Sequence, residues 1–181
     1  MKKTELKLAE SAILVALAIV LDITSKMIPV LQMPQGGSIS LALLPLVILS
    51  LRNGYKYGFL GGMTFGIVNF LMDGYAFHWG SFIFDYGLAF ILVGTSAIFS
   101  KKTLKGNVVA YISAFVLAVF LKYLMSSFSG VLFFAEFSGD MNPWFYSFIL
   151  YNLPYNAASL GAILIVALLI YRRLLAFFNQ E

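Results

Sequence analysis

Two ionisable residues stand inside strongly apolar stretches of this chain: Asp85, within 80–100, and Lys122, within 107–134. A charged group in hydrocarbon costs about 2.5–3.5 kcal/mol on insertion scales, so it has a partner or a task. Lys122, Ser126 and Ser129 recur at i, i+4 and i+7 and share one helical face. Asn152, Asn156 and Ser159 repeat that spacing in the last apolar stretch, where Pro154 interrupts the helix and frees backbone carbonyls. Phe65 and Asn69 fall on one face of a third stretch. Tyr86, Phe134, Trp144, Tyr146 and Tyr151 lie near the same ends of their helices. The chemistry these residues offer is capture. A carboxylate meets a cation or an N–H donor, an ammonium and amides orient it, and aromatic faces hold flat rings or cations at about 0.5–2 kcal/mol per contact. The pattern predicts a polar, aromatic-lined cavity that opens outward.

Two readings of the charges are open. Asp85 and Lys122 either form a buried ion pair that fixes one helix against the next, or they face a ligand. Asp22 and Lys26, an i, i+4 pair near the end of the first helix, read as structural, and Trp79 and Trp144 as members of an interfacial aromatic belt. A single histidine, His78, cannot build a metal site, and the absence of cysteine excludes disulfides and thiol chemistry. The chain has no phosphate-binding G-x-x-x-x-G-K-[ST] loop and no H-E-x-x-H pair. The expectation is a protein without enzymatic activity, metal or cofactor.

Membrane helices must position these groups. The chain is 61% hydrophobic and 11% charged, against about 25% charged in soluble domains. Of its 12 Lys and Arg residues, all but Lys26 and Lys122 fall in four patches: Lys2, Lys3, Lys7; Arg52, Lys56; Lys101, Lys102, Lys105; Arg172, Arg173. Basic residues stay on the cytoplasmic side, and each gap between patches has room for two crossings. The prediction is an all-α membrane protein, a single domain over 1–181, with six transmembrane helices and both ends cytoplasmic. Topology accounts for the net charge of +4, so nucleic acid is not an expected partner. The expected helices run over about 5–28, 39–51, 57–72, 80–100, 107–134 and from 144 to Arg172-Arg173. An outer loop spans 30–38, and a tight inner turn is formed by Arg52-Asn53-Gly54. The apolar run 8–30 is too long, and lacks the cleavage pattern, for a secretion signal. The second helix is short for a bilayer and contains Pro45, so a re-entrant hairpin is the alternative there. The absence of an internal repeat argues against the common secondary transporters. Gly62-x-x-x-Gly66 and Ala12-x-x-x-Ala16 are small-residue patterns whose plain reading is helix packing within the bundle.

Several segments together resemble the thiamine-specific S components of energy-coupling factor (ECF) transporters. They are Met33-Pro34-Gln35-Gly36-Gly37-Ser38-Ile39-Ser40-Leu41-Ala42, Leu51-Arg52-Asn53-Gly54, Asp85-Tyr86-Gly87, Leu121-Lys122-Tyr123, Ser129-Gly130 and Asn142-Pro143-Trp144-Phe145-Tyr146-Ser147 with Tyr151-Asn152. They occur in collinear order over nearly the whole chain. The resemblance implies a six-helix vitamin-binding subunit that works with a transmembrane coupling subunit and two ATPase subunits. It assigns ligand contacts to Asp85, Tyr86, Tyr146, Asn152 and Lys122, with Ser126 at a position where some members carry histidine. Phe65 and Phe134 stand where some members have stacking tryptophans. It implies that Gln35 and Gly37 belong to a lid, and that Ala12 and Ala16 dock the coupling subunit. The chain departs from the pattern in having Asp85 where some members use the longer Glu. Its spacing from Tyr146 to Asn152 is also one residue longer. A thiamine precursor or related heterocycle as ligand, and a self-contained carrier or channel, are the competing expectations.

Overall fold

A computed structural model of the chain describes residues 3–34, 36–73 and 78–178. Six helices carry the fold: α1 (Lys3–Lys26), α2 (Leu43–Asn53), α3 (Tyr55–Asp73), α4 (Trp79–Leu104), α5 (Val108–Phe133) and α6, whose opening Phe145–Asn152 runs into Leu153–Phe178. Among the described residues, α4, α5 and α6 are long and apolar enough to cross a membrane by length and composition. An isolated bridge between Gln32 and Ser38 is the one β-feature of the described residues.

The second helix is shorter than expected and starts later, at Leu43 rather than at 39. Ser40 is the reason. Its hydroxyl accepts the Ala42 amide at 3.1 Å, and its own amide donates to Ser159 Oγ at 3.2 Å. Local bonding of a serine hydroxyl to nearby amides competes with helix formation. Residues 36–40 therefore run into the bundle as non-helical chain, and 41–42 turn into α2. Pro45 then sits in the first turn of α2, where its missing N–H leaves no bond unmade. At 1.5 Å per residue, the 11 residues of α2 reach about 16 Å, half of a hydrocarbon core of about 30 Å. The 19 residues of α3 reach about 28 Å, so α2 and α3 do not form a short re-entrant hairpin.

Half a helix and a non-helical segment at membrane depth are stable only when enclosed by protein. Residues 42–51 are all buried, and Leu46, Val47, Leu49 and Leu51 are among the least exposed residues of the molecule. The other helices surround them. Glycines make the tightest of these contacts. Gly58, Gly62 and Gly66 form a stripe on α3 at i, i+4, i+8. A Cβ at Gly62 would lie 2.1 Å from the Phe90 carbonyl oxygen, and one at Gly66 2.0 Å from that of Tyr86. Gly62-x-x-x-Gly66 thus packs α3 backbone to backbone on α4. Ala12 and Ala16, in contrast, are exposed, so that pattern is not used inside the bundle.

Three contacts gather the basic patches at one end. The Arg52 guanidinium makes a two-pronged pair with Glu10, both bonds 2.9 Å, joining the start of α1 to the end of α2. Ser100 Oγ donates to the Leu51 carbonyl, bringing in the end of α4. The turn at Gly106, with φ +85°, lies against Leu175 of α6. The opposite end holds the cavity.

Candidate functional site

That cavity has a volume of about 120 Å³, room for several ordered waters or for a small ring system. Two of its walls come from helices that open their winding. Phe82–Leu88 of α4 and Phe145–Asn152 of α6 are π-helical, and such segments concentrate at functional sites. In π winding, residues five apart lie above one another. Tyr146 and Tyr151 accordingly stack, with ring centroids 6.1 Å apart. Asn152 Nδ2 donates to the Ser147 carbonyl at 3.0 Å and lies 3.2 Å from its Oγ. The extra residue between Tyr146 and Asn152 is absorbed by this bulge, and both side chains line the cavity. Pro154 does not stop the helix. It follows the π segment, and α6 continues to Phe178.

The remaining expected residues divide into three groups. Asp85 and Tyr86 from α4, Lys122 and Ser126 from α5, Phe134 at the C-terminal cap of α5, and Gly37 from the non-helical segment before α2 all line the cavity. Phe65 does not. It is 1% exposed and stands edge-on behind Phe90 at 4.7 Å, and it is Phe90 that forms the wall. The α3 face carrying Phe65 is occupied by the close glycine contact with α4, which leaves it no path to the cavity. Gln35 lies outside the described residues.

Asp85 and Lys122 do not seal one another. Among the described residues no ion pair joins them. Asp85 Oδ2 accepts the Ser129 hydroxyl at 2.5 Å, and Lys122 Nζ donates to Asn156 Oδ1 at 3.2 Å, 4.9 Å above the Tyr155 ring. From Lys122 a hydrogen-bonded chain continues through α6. Asn156 Nδ2 donates to the Asn152 carbonyl at 2.8 Å, Tyr155 O–H to Asn152 Oδ1 at 2.8 Å, and Ser147 Oγ to the Ser127 carbonyl at 2.8 Å. Buried polar groups need partners, and these bonds satisfy the wall while leaving its inner surface polar.

Asp22 and Lys26 join the site as well. They pair at 2.5 Å, Lys26 Nζ donates to Asn69 Oδ1 at 2.8 Å, and Ser40 Oγ donates to Asp22 Oδ1 at 3.1 Å. All four residues line the cavity. Their spacing reads as an ordinary i, i+4 pair; only the non-helical run of 36–42, which carries Ser40 to α1, reveals the second polar pole. Gly37 N donates to Tyr151 O–H at 3.3 Å, so that run is tied to α6 on its other side. Tyr155, Phe90 and Phe137 complete the aromatic lining. Sequence spacing alone did not single them out.

Among the described residues, the acidic and basic side chains on the wall are two carboxylates and two ammoniums, which suits a ligand with both a cationic and a hydrogen-bonding part. Among the described residues no cluster of His, Asp or Glu could hold a metal ion. His78 has a different job. Its Nδ1 accepts the Gly80 amide at 3.0 Å at the start of α4, and its ring stacks on Phe133 at 5.1 Å. Trp79 and Trp144 are exposed and lie off the cavity.

A family model described as thiamine transporter protein matches residues 8–179. The thiamine transporter ThiT of Bacillus subtilis (strain 168) is 34% identical over 179 residues, which cover 93% of this chain and 92% of that protein. A solved structure of ThiT from Listeria monocytogenes has a TM-score of 0.77 at 25% identity, covering 96% of this chain and 95% of that one.

Proposed function

The chain belongs to the thiamine transporter protein family, and on that premise we propose that its cavity captures thiamine for an ECF-type importer. It is a multi-pass membrane protein, not an enzyme. The observation that carries the reading is the unsealed Asp85 on a wall it shares with Tyr86, Lys122, Tyr146 and Asn152. Thiamine joins a flat, cationic ring to an aminopyrimidine. A desolvated carboxylate among aromatic faces favours both parts over neutral aliphatic solutes. We assign ligand contact to those five residues and to Ser126, Phe134 and Gly37.

In this reading the protein sits in a bacterial cytoplasmic membrane with its basic end inside and the cavity at the outer face. Energy comes from outside the chain, through a transmembrane coupling subunit and two ATPase subunits. The exposed faces of Ala12 and Ala16 on α1 support a docking role for that pair. Purified chain in detergent is expected to bind thiamine with submicromolar affinity, read by calorimetry or by quenching of intrinsic fluorescence. Absence of binding would refute the assignment, and thiamine flux through liposomes holding this chain alone would replace it with a self-contained carrier. Ala12→Trp is expected to abolish uptake in cells while leaving binding by the isolated chain intact; unchanged uptake would remove the docking role.

A further inference from the structure

Asp85 is held from behind. Ser129 is fully buried at 0% exposure and is not part of the cavity wall, yet its hydroxyl donates to Asp85 Oδ2 at 2.5 Å. Lys122, Ser126 and Gly130, spaced four apart on α5, and Phe134 at its C-terminal cap turn to the cavity. Ser129 lies just off that line and points at α4 instead. The carboxylate it meets projects from the π segment Phe82–Leu88. Asp is short, and free rotation about its side chain would let the carboxylate swing along the wall. With Oδ2 committed to Ser129, and the Ser126 side chain also bonding the carboxylate, its rotation is restricted while it stays on the cavity wall. Hydrogen bonds from a hydroxyl to an ionised carboxylate are stronger than those between neutral groups.

We propose that Ser129 is a positioning residue for ligand capture, orienting Asp85 so that its carboxylate faces the cationic or N–H-donating part of the ligand. The inference rests on the cavity being the thiamine site. Ser129 makes no contact with the ligand; its effect passes through Asp85 and vanishes when that carboxylate is gone. A serine that merely filled space would affect binding whatever residue stood at 85.

The test is a double-mutant cycle read by thiamine titration of the purified full-length chain. Ser129→Ala is expected to weaken thiamine binding about tenfold beside Asp85 and by less than about twofold in the Asp85→Ala background, where no acceptor is left for the hydroxyl, the signature of coupled residues. Ser129→Thr, which keeps the hydroxyl, is expected to stay within about threefold of the wild type. Equal losses in both backgrounds, or unchanged affinity in Ser129→Ala, would overturn the positioning role. If Ser129→Ala does not fold, Ser129→Thr decides: a loss in Ser129→Thr as large as in Asp85→Asn would likewise overturn it. If the wild-type chain binds no thiamine, the assignment of the ligand fails, and that result is distinct from either outcome at Ser129.

Discussion

The two ends of this bundle are built on opposite rules. At the basic end, helices approach closely: α2 is enclosed on all sides, and a Cβ at Gly58 of α3 would lie 2.9 Å from the Gly94 Cα of α4. At the cavity end, two helices abandon regular winding and a third element is not helical at all. The first end is close-packed around α2, with the Arg52–Glu10 pair and the Ser100–Leu51 bond tying its helices together. The second is held by hydrogen bonds between elements far apart in the chain, such as Ser129 to Asp85, Lys122 to Asn156 and Ser40 to Asp22. The difference teaches how a small membrane protein keeps a hollow open in lipid. A rigid, close-packed base lets the other end spend its backbone groups on a polar wall.

Substitutions can break that contrast. The largest expected effect is where α3 crosses α4. Gly66→Ile would drive a Cβ to 2.0 Å from the Tyr86 carbonyl oxygen, and backbone cannot yield as a flexible side chain would. The expected result is loss of folded protein, by more than about 3 kcal/mol, seen as aggregation on size-exclusion chromatography in detergent. A folded Gly66→Ile variant that still binds thiamine would mean that α3 and α4 can separate without harm. Arg52→Ala should come next. It leaves Glu10, 15% exposed, without its two-pronged partner, and is expected to cost about 2–3 kcal/mol. That loss would appear as a thermal midpoint lowered by several degrees, with thiamine affinity unchanged. A matching loss of affinity would show that the ends are coupled rather than separate.

The smallest effect on the fold, and the largest on function, belongs to the cavity. Asp85→Asn keeps the shape and removes the charge. It should weaken thiamine binding at least tenfold, about 1.4 kcal/mol, while the thermal midpoint without ligand stays near that of the wild type. Equal affinity by calorimetry would take Asp85 out of the site. A lowered midpoint with unchanged affinity would mark the Asp85–Ser129 bond as part of the scaffold.

Much of this was readable from residue types and spacing. Apolar stretches between basic patches determined six helices and an all-α membrane fold, because lipid allows few ways to satisfy backbone groups. Ionisable and amide residues at helical spacing in those stretches pointed to a polar hollow, and Asp85, Lys122 and Asn152 stand on its wall. Tertiary structure alone decided the rest. Whether Asp85 met Lys122 or Ser129 depended on how α4 turns within its π segment, which a regular helical wheel cannot represent. Phe65 sits on the expected helix but behind Phe90, because the glycine stripe fixes how α3 faces α4. Asp22 and Lys26 read as a local pair by spacing; the non-helical segment brings Ser40 to Asp22 across 18 residues of chain. Periodicity reports which residues share a face of one element. What that face meets is set by close approach and by bonds between distant segments, and these exist only once the whole chain has packed.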